Sequence, residues 1–226
     1  MNENMINTIY LAAAFLALFA SAEFAYRKLK IEAELTRKYV HLLTGLLTLL
    51  FPVLIEDPWL VLLLCGSFLL ILTVSLVFGL LPSINAVGRI TRGSILYPII
   101  VYCTYRVFLY YDQYIFYYIP ILVMAVCDPL AALAGKKWPY GAYQILKETK
   151  TLMGASVFFV SASIVTFLLI LSLSEILVID MLIISISTAL CAAAVEAASP
   201  RGWDNLTIPV VCIAVLLLFK NYTSLL

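Results

Sequence analysis

The sequence predicts an all-α fold, a polytopic bundle of about eight membrane-spanning helices that forms a single domain over residues 1–226. Of the 226 residues, 64% are hydrophobic and only 12% are charged, and the mean hydropathy is +1.07. Soluble domains are about 45–50% apolar and about 25% charged, so this composition indicates an integral membrane protein. The net charge of +1 gives no basis for a nucleic-acid partner.

The predicted spans follow from the lengths of the apolar stretches. A helix needs about 20 apolar residues to cross the hydrocarbon core of a bilayer. On this rule we place spans near residues 6–26, 39–55, 58–80, 94–111, 115–135, 152–172, 176–196 and 206–222. No Lys or Arg precedes the first stretch, so it lacks the charged start of a cleavable signal peptide and we expect it to be retained.

The basic residues predict the orientation of the bundle. Most of the 14 Lys and Arg residues lie in alternate connections, as Arg27, Lys28, Lys30, Arg37 and Lys38, then Arg89 and Arg92, then Lys136, Lys137, Lys147 and Lys150, then Arg201. By the positive-inside rule these connections are cytoplasmic and both termini lie outside. The opposite ends carry acidic residues and the segment 110–118, whose tyrosines are typical of the headgroup level.

The cysteines and the single histidine exclude several kinds of site. All cysteines lie in apolar stretches and none belongs to a CxxC pair, so they are predicted to be packing residues, namely Cys65, Cys103, Cys127, Cys191 and Cys212. His41 is the only histidine, which excludes a metal site built from several histidines.

The polar residues that are costly in a membrane gather at the predicted cytoplasmic ends of the spans. Asp128 lies about 13 residues, or 20 Å, past the outer start of its span, and a charge near the bilayer interior costs at least ~2.5 kcal/mol. Glu196 ends the seventh span, and Asp204 with Asn205 begins the eighth from the same side. A transporter would place its site near the midplane. The distribution instead favours a site that takes a soluble substrate from the cytoplasm and a lipid from the membrane.

Two interpretations of Asp128 are compatible with its sequence context. Pro129 follows it, so Asp128 is a candidate N-cap of a helix that restarts after a break. Asp128 is also a candidate functional carboxylate, because irregular backbone at membrane depth is tolerated where it lines a cavity. On the cytoplasmic side, Glu23 is a weaker candidate, since it could pair with Arg27 one turn later.

The connection at residues 136–156 offers groups that suit phosphate. It contains four lysines, and Lys150 and Thr151 lead into Gly154. The dipole and the unbonded backbone N–H groups at a helix start both favour an anion, so we expect phosphate at the start of the sixth span. The order GxxxxGK[ST] is absent, which excludes a Walker loop.

Carboxylates on the same predicted face suggest a metal. Asp128, Glu196 and Asp204, together with Asn205, offer the hard oxygen ligands that hold Mg²⁺ beside the phosphates of a nucleotide. Cations that bind phosphate and carboxylates that bind a metal, converging on one face, favour phosphoryl or nucleotidyl transfer.

Four segments resemble the signatures of the CTP-dependent lipid-alcohol kinases. They are RKYVHLLTG (37–45), CDPLAALAGKKW (127–138), KTLMGAS (150–156) and VEAASPRGWDNLTIP (195–209), in the order of the family. This family includes dolichol, phytol and farnesol kinases and the yeast-type diacylglycerol kinase. It is distantly similar to the CDP-diacylglycerol synthases, which are phosphatidate cytidylyltransferases.

The match can be followed residue by residue. The motif R-K-x-x-H-x-x-x-G is matched by Arg37, Lys38, His41 and Gly45, and the motif D-x-x-A-x-x-x-G by Asp128, Ala131 and Gly135. The motif K-[ST]-x-x-G is matched by Lys150, Thr151 and Gly154, and the last motif by Glu196, Asp204, Asn205 and Pro209. The chain departs from the family at three positions. Cys127 stands where glycine is frequent, Lys136 where arginine is usual, and Met153 where many members have glutamate.

The resemblance implies a CTP-dependent kinase that transfers the γ-phosphate to the hydroxyl of a membrane lipid alcohol such as dolichol, a polyprenol, phytol, farnesol or diacylglycerol. It implies Mg²⁺ held by Asp128, with Asp204, Asn205 and Glu196 as further candidate ligands. Lys150, Arg37 and Lys38 would neutralise the transferring phosphoryl group. The candidate proton acceptors are Asp128, His41 and Glu196. The nucleotide or phosphate would be bound by Gly135, Lys136, Thr151 and Gly154.

Two other functions remain as alternatives at this point. A cytidylyltransferase of the CDP-diacylglycerol synthase type would need the same metal and the same cations. A small membrane transporter or scaffold without enzymatic activity would need neither.

The predicted orientation can be tested by labelling single cysteines. Cysteines introduced at Lys137 and Lys147 should react with a membrane-impermeant thiol reagent only from the cytoplasmic side, because the positive-inside rule places that connection there. A cysteine at Gln113 should react only from outside. The opposite labelling pattern would reverse the orientation and the cytoplasmic location of the site.

Overall fold

A computed structural model of the chain describes residues 2–85, 93–145, 148–200 and 202–222. Within these residues the structure is helical apart from one short β-hairpin, so the predicted all-α class is confirmed. The chain divides into two compact units, Met1–Arg106 and Val107–Leu226. Four of the basic residues used to predict the orientation lie outside the described residues, namely Arg89, Arg92, Lys147 and Arg201.

The first unit is built from the helices that precede Val107. They are α1 (Glu3–Arg27), α2 (Ala33–Thr48), α3 (Phe51–Leu54), α4 (Pro58–Phe78), α5 (Pro82–Asn85) and most of α6 (Gly93–Tyr111). α1 packs against α2, α4 and the short α5, and α5 also packs against α2.

Aromatic side chains hold α1 to its neighbours in the first unit. The ring centroid of Phe15 lies 6.1 Å from that of Phe51 and 5.0 Å from that of Phe68. Phe19 packs edge-on against Phe68 at 5.6 Å. Helices in lipid associate by close packing and not by a hydrophobic driving force, so these well-packed rings stabilise the unit.

The second unit contains the remaining helices and the hairpin. Its elements are α7 (Ile115–Leu122), a π-helical turn (Val123–Cys127), α8 (Asp128–Lys137), β1 (Ala142–Ile145), β2 (Glu148–Thr151), α9 (Leu152–Leu173), α10 (Val178–Ala198) and α11 (Asp204–Tyr222). α9 packs between α8 and α10, and α10 packs in turn against α11.

Among the described residues, six helices are long and apolar enough to cross a membrane. They are Glu3–Arg27, Pro58–Phe78, Gly93–Tyr111, Ile115–Lys137, Leu152–Leu173 and Val178–Ala198. The span predicted near 39–55 is divided between α2 and α3, and α2 begins with charged residues. The protein is therefore an integral membrane protein, while the count of eight spans stays a prediction.

The helix that carries Asp128 is continuous, contrary to the break suggested by Pro129. α7 passes through the π turn directly into α8. Pro129 has no N–H and its ring crowds the carbonyl four residues earlier, a conflict that the wider π turn relieves. Asp128 has helical angles (φ −63°, ψ −50°), and so has Cys127 before it (φ −72°, ψ −37°). The N-cap interpretation of Asp128 is therefore wrong, since an N-cap residue has non-helical angles.

Candidate active site

An ion pair joins two of the sequence motifs in the second unit. The Lys150 ammonium group donates to Oε1 of Glu196 at 2.6 Å and also to the main-chain carbonyl of Glu196. The two side chains are only 14% and 12% exposed. Lys150 belongs to β2 and Glu196 to the last turn of α10. The sequence predicted both as functional residues, but it did not predict that they contact each other.

The β-hairpin presents Lys150 on its inward face. Tyr143 is the cross-strand partner of Lys150 in the antiparallel register. Tyr143 and Ile145 are half-buried, whereas the alternating residues Ala142 and Gln144 are exposed. Directly paired residues of two antiparallel strands lie on the same face, so Tyr143 lies beside Lys150.

Tyr143 is a residue of this cluster that the motifs did not indicate. Burial and the nearby Glu196 carboxylate raise the pKa of its hydroxyl, an effect that Lys150 opposes. The phenol is therefore neutral near physiological pH. The alternation in the segment AYQI, with its two larger inward residues, is the signal in the sequence that indicates a strand here.

The first turn of α9 has its backbone donors satisfied by the chain itself. The bonds run from the N–H of Leu152 to the carbonyl of Gly141 (3.1 Å), from Met153 to the carbonyl of Tyr140 (3.3 Å), and from Gly154 to the hydroxyl of Thr151 (3.0 Å). Thr151 is thus the N-cap of α9. The N–H groups at this helix start are therefore not unbonded as we expected, because the preceding turn folds back and occupies them, while phosphate binding at this place stays a prediction.

Glycines allow α8 and α9 to approach closely at the same place. A Cβ atom on Gly135 would lie 2.5 Å from the Thr151 hydroxyl oxygen and 3.5 Å from Cα of Gly154. A Cβ atom on Gly154 would lie 3.1 Å from the carbonyl oxygen of Ala131. Four motif residues therefore form one contact that docks the Asp128 helix against the segment that carries Lys150.

The remaining candidate metal ligands occupy other positions of the second unit. Asp204 and Asn205 form the first turn of α11, with Asn205 buried and its backbone N–H bonded to Asp204 Oδ1 at 2.9 Å. Asp128 is half-buried, and Lys136 is exposed near the end of α8. Within the described part of the chain, no three Asp, Glu, His or Cys side chains group closely enough to hold a metal ion.

The R-K-x-x-H residues lie on α2, in the first unit. The His41 ring packs edge-on against the Tyr97 ring at 5.0 Å, and the Tyr97 hydroxyl donates to the His41 carbonyl at 3.2 Å. Nε of Arg37 is buried and has no hydrogen-bond partner within the described residues. Tyr97 is buried in α6, and no motif indicated it.

The start of α2 is held by a polar contact with the short helix α5. The Thr36 hydroxyl donates to the carbonyl of Ser83 at 2.6 Å, and the backbone N–H of Ser83 donates to Glu23 Oε2 at 3.2 Å. Glu23 also pairs with Arg27, the contact that the sequence suggested. These bonds fix the backbone immediately before Arg37.

Comparison with known proteins establishes the family. The chain is 33% identical over 201 residues to a phytol kinase of Synechocystis sp., and the match covers 88% of this chain and 85% of that protein. No family model matches the chain, and no solved structure does so either. The chain belongs to the lipid-alcohol kinase family. This membership makes it an enzyme of the kinase class.

The role of Gly135 can be tested by thermal unfolding in detergent. Gly135→Ala should destabilise the protein by about 1–3 kcal/mol, because the added methyl group meets the Thr151 hydroxyl that caps α9. Gly66→Ala in α4 is the matched control, since nothing lies within 4 Å of its Cβ position. Equal melting temperatures for the two variants would contradict the close contact between α8 and α9.

Proposed function

We propose that the chain is a CTP-dependent kinase that phosphorylates the hydroxyl of a membrane lipid alcohol at the cytoplasmic face. The likeness to a phytol kinase along 88% of the chain is the observation that carries this proposal. The ordered motifs support it, since they supply the cations and carboxylates that phosphoryl transfer requires. A long isoprenoid alcohol of the phytol type is the first substrate to test.

In the proposed reaction the hydroxyl oxygen of the alcohol attacks the γ-phosphorus of CTP. The bond between this phosphorus and the β–γ bridging oxygen breaks, CDP leaves, and the hydroxyl proton passes to an acceptor on the enzyme. The tail of the alcohol lies between helices, with its hydroxyl at the inner interface. Catalysis of this kind depends mainly on positioning and on neutralising charge.

The chain offers cations for the phosphates and two groups for the proton. We assign Lys150, Arg37 and Lys38 to charge neutralisation; the buried Nε of Arg37, with no partner in the described residues, is suited to a phosphate oxygen. One oxygen of Glu196 is bonded to Lys150. This engagement favours Asp128 or His41 as the proton acceptor.

A divalent cation would complete the site. Asp128, with Asp204 and Asn205, would hold it, and their oxygen atoms are of the type that Mg²⁺ prefers. When bound beside the nucleotide, Mg²⁺ neutralises negative charge on the phosphates. We place Gly135, Thr151 and Gly154 in the framework of the nucleotide site, with Lys136 exposed beside them.

Positionally labelled CTP distinguishes the kinase from a cytidylyltransferase. Label from γ-labelled CTP should enter the lipid, whereas label from α-labelled CTP should not, because a kinase transfers only the terminal phosphoryl group. The measurement uses the purified protein in detergent with a panel of lipid alcohols. Incorporation from the α position alone would identify a cytidylyltransferase acting on a lipid phosphate.

The role of Asp128 can be tested with a substitution of nearly equal size. Asp128→Asn should lower kcat by at least about 100-fold, because the amide cannot supply the negative charge needed to bind the metal or accept a proton. The melting temperature should change little. Asp180→Asn, in the first turn of α10, is the matched control and should retain activity. Full activity of Asp128→Asn would remove Asp128 from the reaction.

A further inference from the structure

Lys150 is held at the end of α10 by two different acceptors of one residue. Its ammonium group donates to the carboxylate of Glu196 at 2.6 Å and to the main-chain carbonyl of the same residue. That carbonyl lies in the last turn of the helix, where the peptide dipoles also favour a positive charge. A lysine side chain has a flexible four-carbon stem, so these combined contacts restrict an ammonium group that is otherwise mobile.

The backbone next to Lys150 is also fixed. Lys150 is paired with Tyr143 across the hairpin, and the following residue, Thr151, caps α9 and contacts the Gly135 position of α8. The ammonium group is therefore constrained from both ends, by β2 at its backbone and by Glu196 at its tip. Side chains that support a site in this way place its charge before the substrate arrives.

We propose that Glu196 is a positioning residue that holds the Lys150 ammonium group for contact with the phosphates of the nucleotide, and that it is not a metal ligand. The proposal rests on the proposed role of Lys150 in binding phosphate.

Charge and geometry both argue against a metal on Glu196. One of its oxygens already accepts a charged donor at 2.6 Å. A divalent cation on the same carboxylate would lie close to the ammonium group, and like charges in a largely buried site repel each other strongly.

The test separates binding of the nucleotide from binding of the metal. In the purified full-length protein, Glu196→Gln should raise KM for CTP by about 10- to 100-fold, because a charge-assisted contact that orients Lys150 is weakened. The Mg²⁺ concentration for half-maximal activity should stay within about twofold of wild type. Glu175→Gln, an exposed glutamate between α9 and α10, is the matched control and should change neither value.

A purely structural role for the pair predicts a different result. It would lower the amount of folded enzyme and leave KM for CTP unchanged, which would overturn the proposal. A higher Mg²⁺ requirement with an unchanged KM for CTP would identify Glu196 as a metal ligand and would overturn it too. Glu196→Asp keeps the charge and should recover part of the affinity for CTP.

Exchanging the two charges gives a second, independent test. The double variant Lys150→Glu with Glu196→Lys restores an ion pair, so its melting temperature should exceed that of either single variant. Its KM for CTP should remain high, because the cation now extends from α10 and not from the hairpin. Recovery of both stability and CTP affinity would overturn the proposal.

Failure of the proposed CTP dependence is seen separately in the wild-type protein. If the wild type takes phosphate from another nucleotide, CTP is not the donor, and the same variants are measured with that nucleotide. Glu196→Gln must then raise KM for that donor, or the positioning role is wrong.

Discussion

The high cost of unpaired charge inside a membrane protein is the constraint on which this structure depends. Lys150 and Glu196 are largely buried, and each supplies the charge that the other needs. The ammonium group also donates to the Glu196 carbonyl in the last turn of α10, which accepts the backbone N–H of Ser199 as well. This one interaction ties the hairpin to α10 and thereby brings together residues 46 positions apart in the chain. Removing one partner of such a pair leaves a buried charge alone, which is strongly destabilising.

Gly135, Thr151 and Gly154, which the sequence suggested as phosphate-binding residues, hold two helices together in the structure. Gly135 and Gly154 create space for α8 and α9 to approach, and Thr151 caps α9. The backbone donors at this helix start are bonded within the chain. These motif residues thus hold α8 and α9 together, so substitution of one of them would affect stability.

The path of the chain at Asp128 shows how a costly residue is accommodated. A proline directly after it could have ended the helix, but a π turn absorbs the conflict and the helix continues into α8. Asp128 therefore projects from a continuous helix and not from a loop. Residues on helices are held more rigidly than residues on loops, which suits the role that we propose for Asp128.

The membrane class, the helical fold and the family could be predicted from the sequence, because apolar length and motif order are properties of the linear chain. The sequence also indicated the pair formed by Glu23 and Arg27, since these residues are one helical turn apart. The contact between Glu196 and Lys150, with Tyr143 beside them, could not be predicted in this way. Glu196 lies far from the hairpin in the chain, and the contact forms only when the hairpin folds back against the end of a helix that is packed on α9.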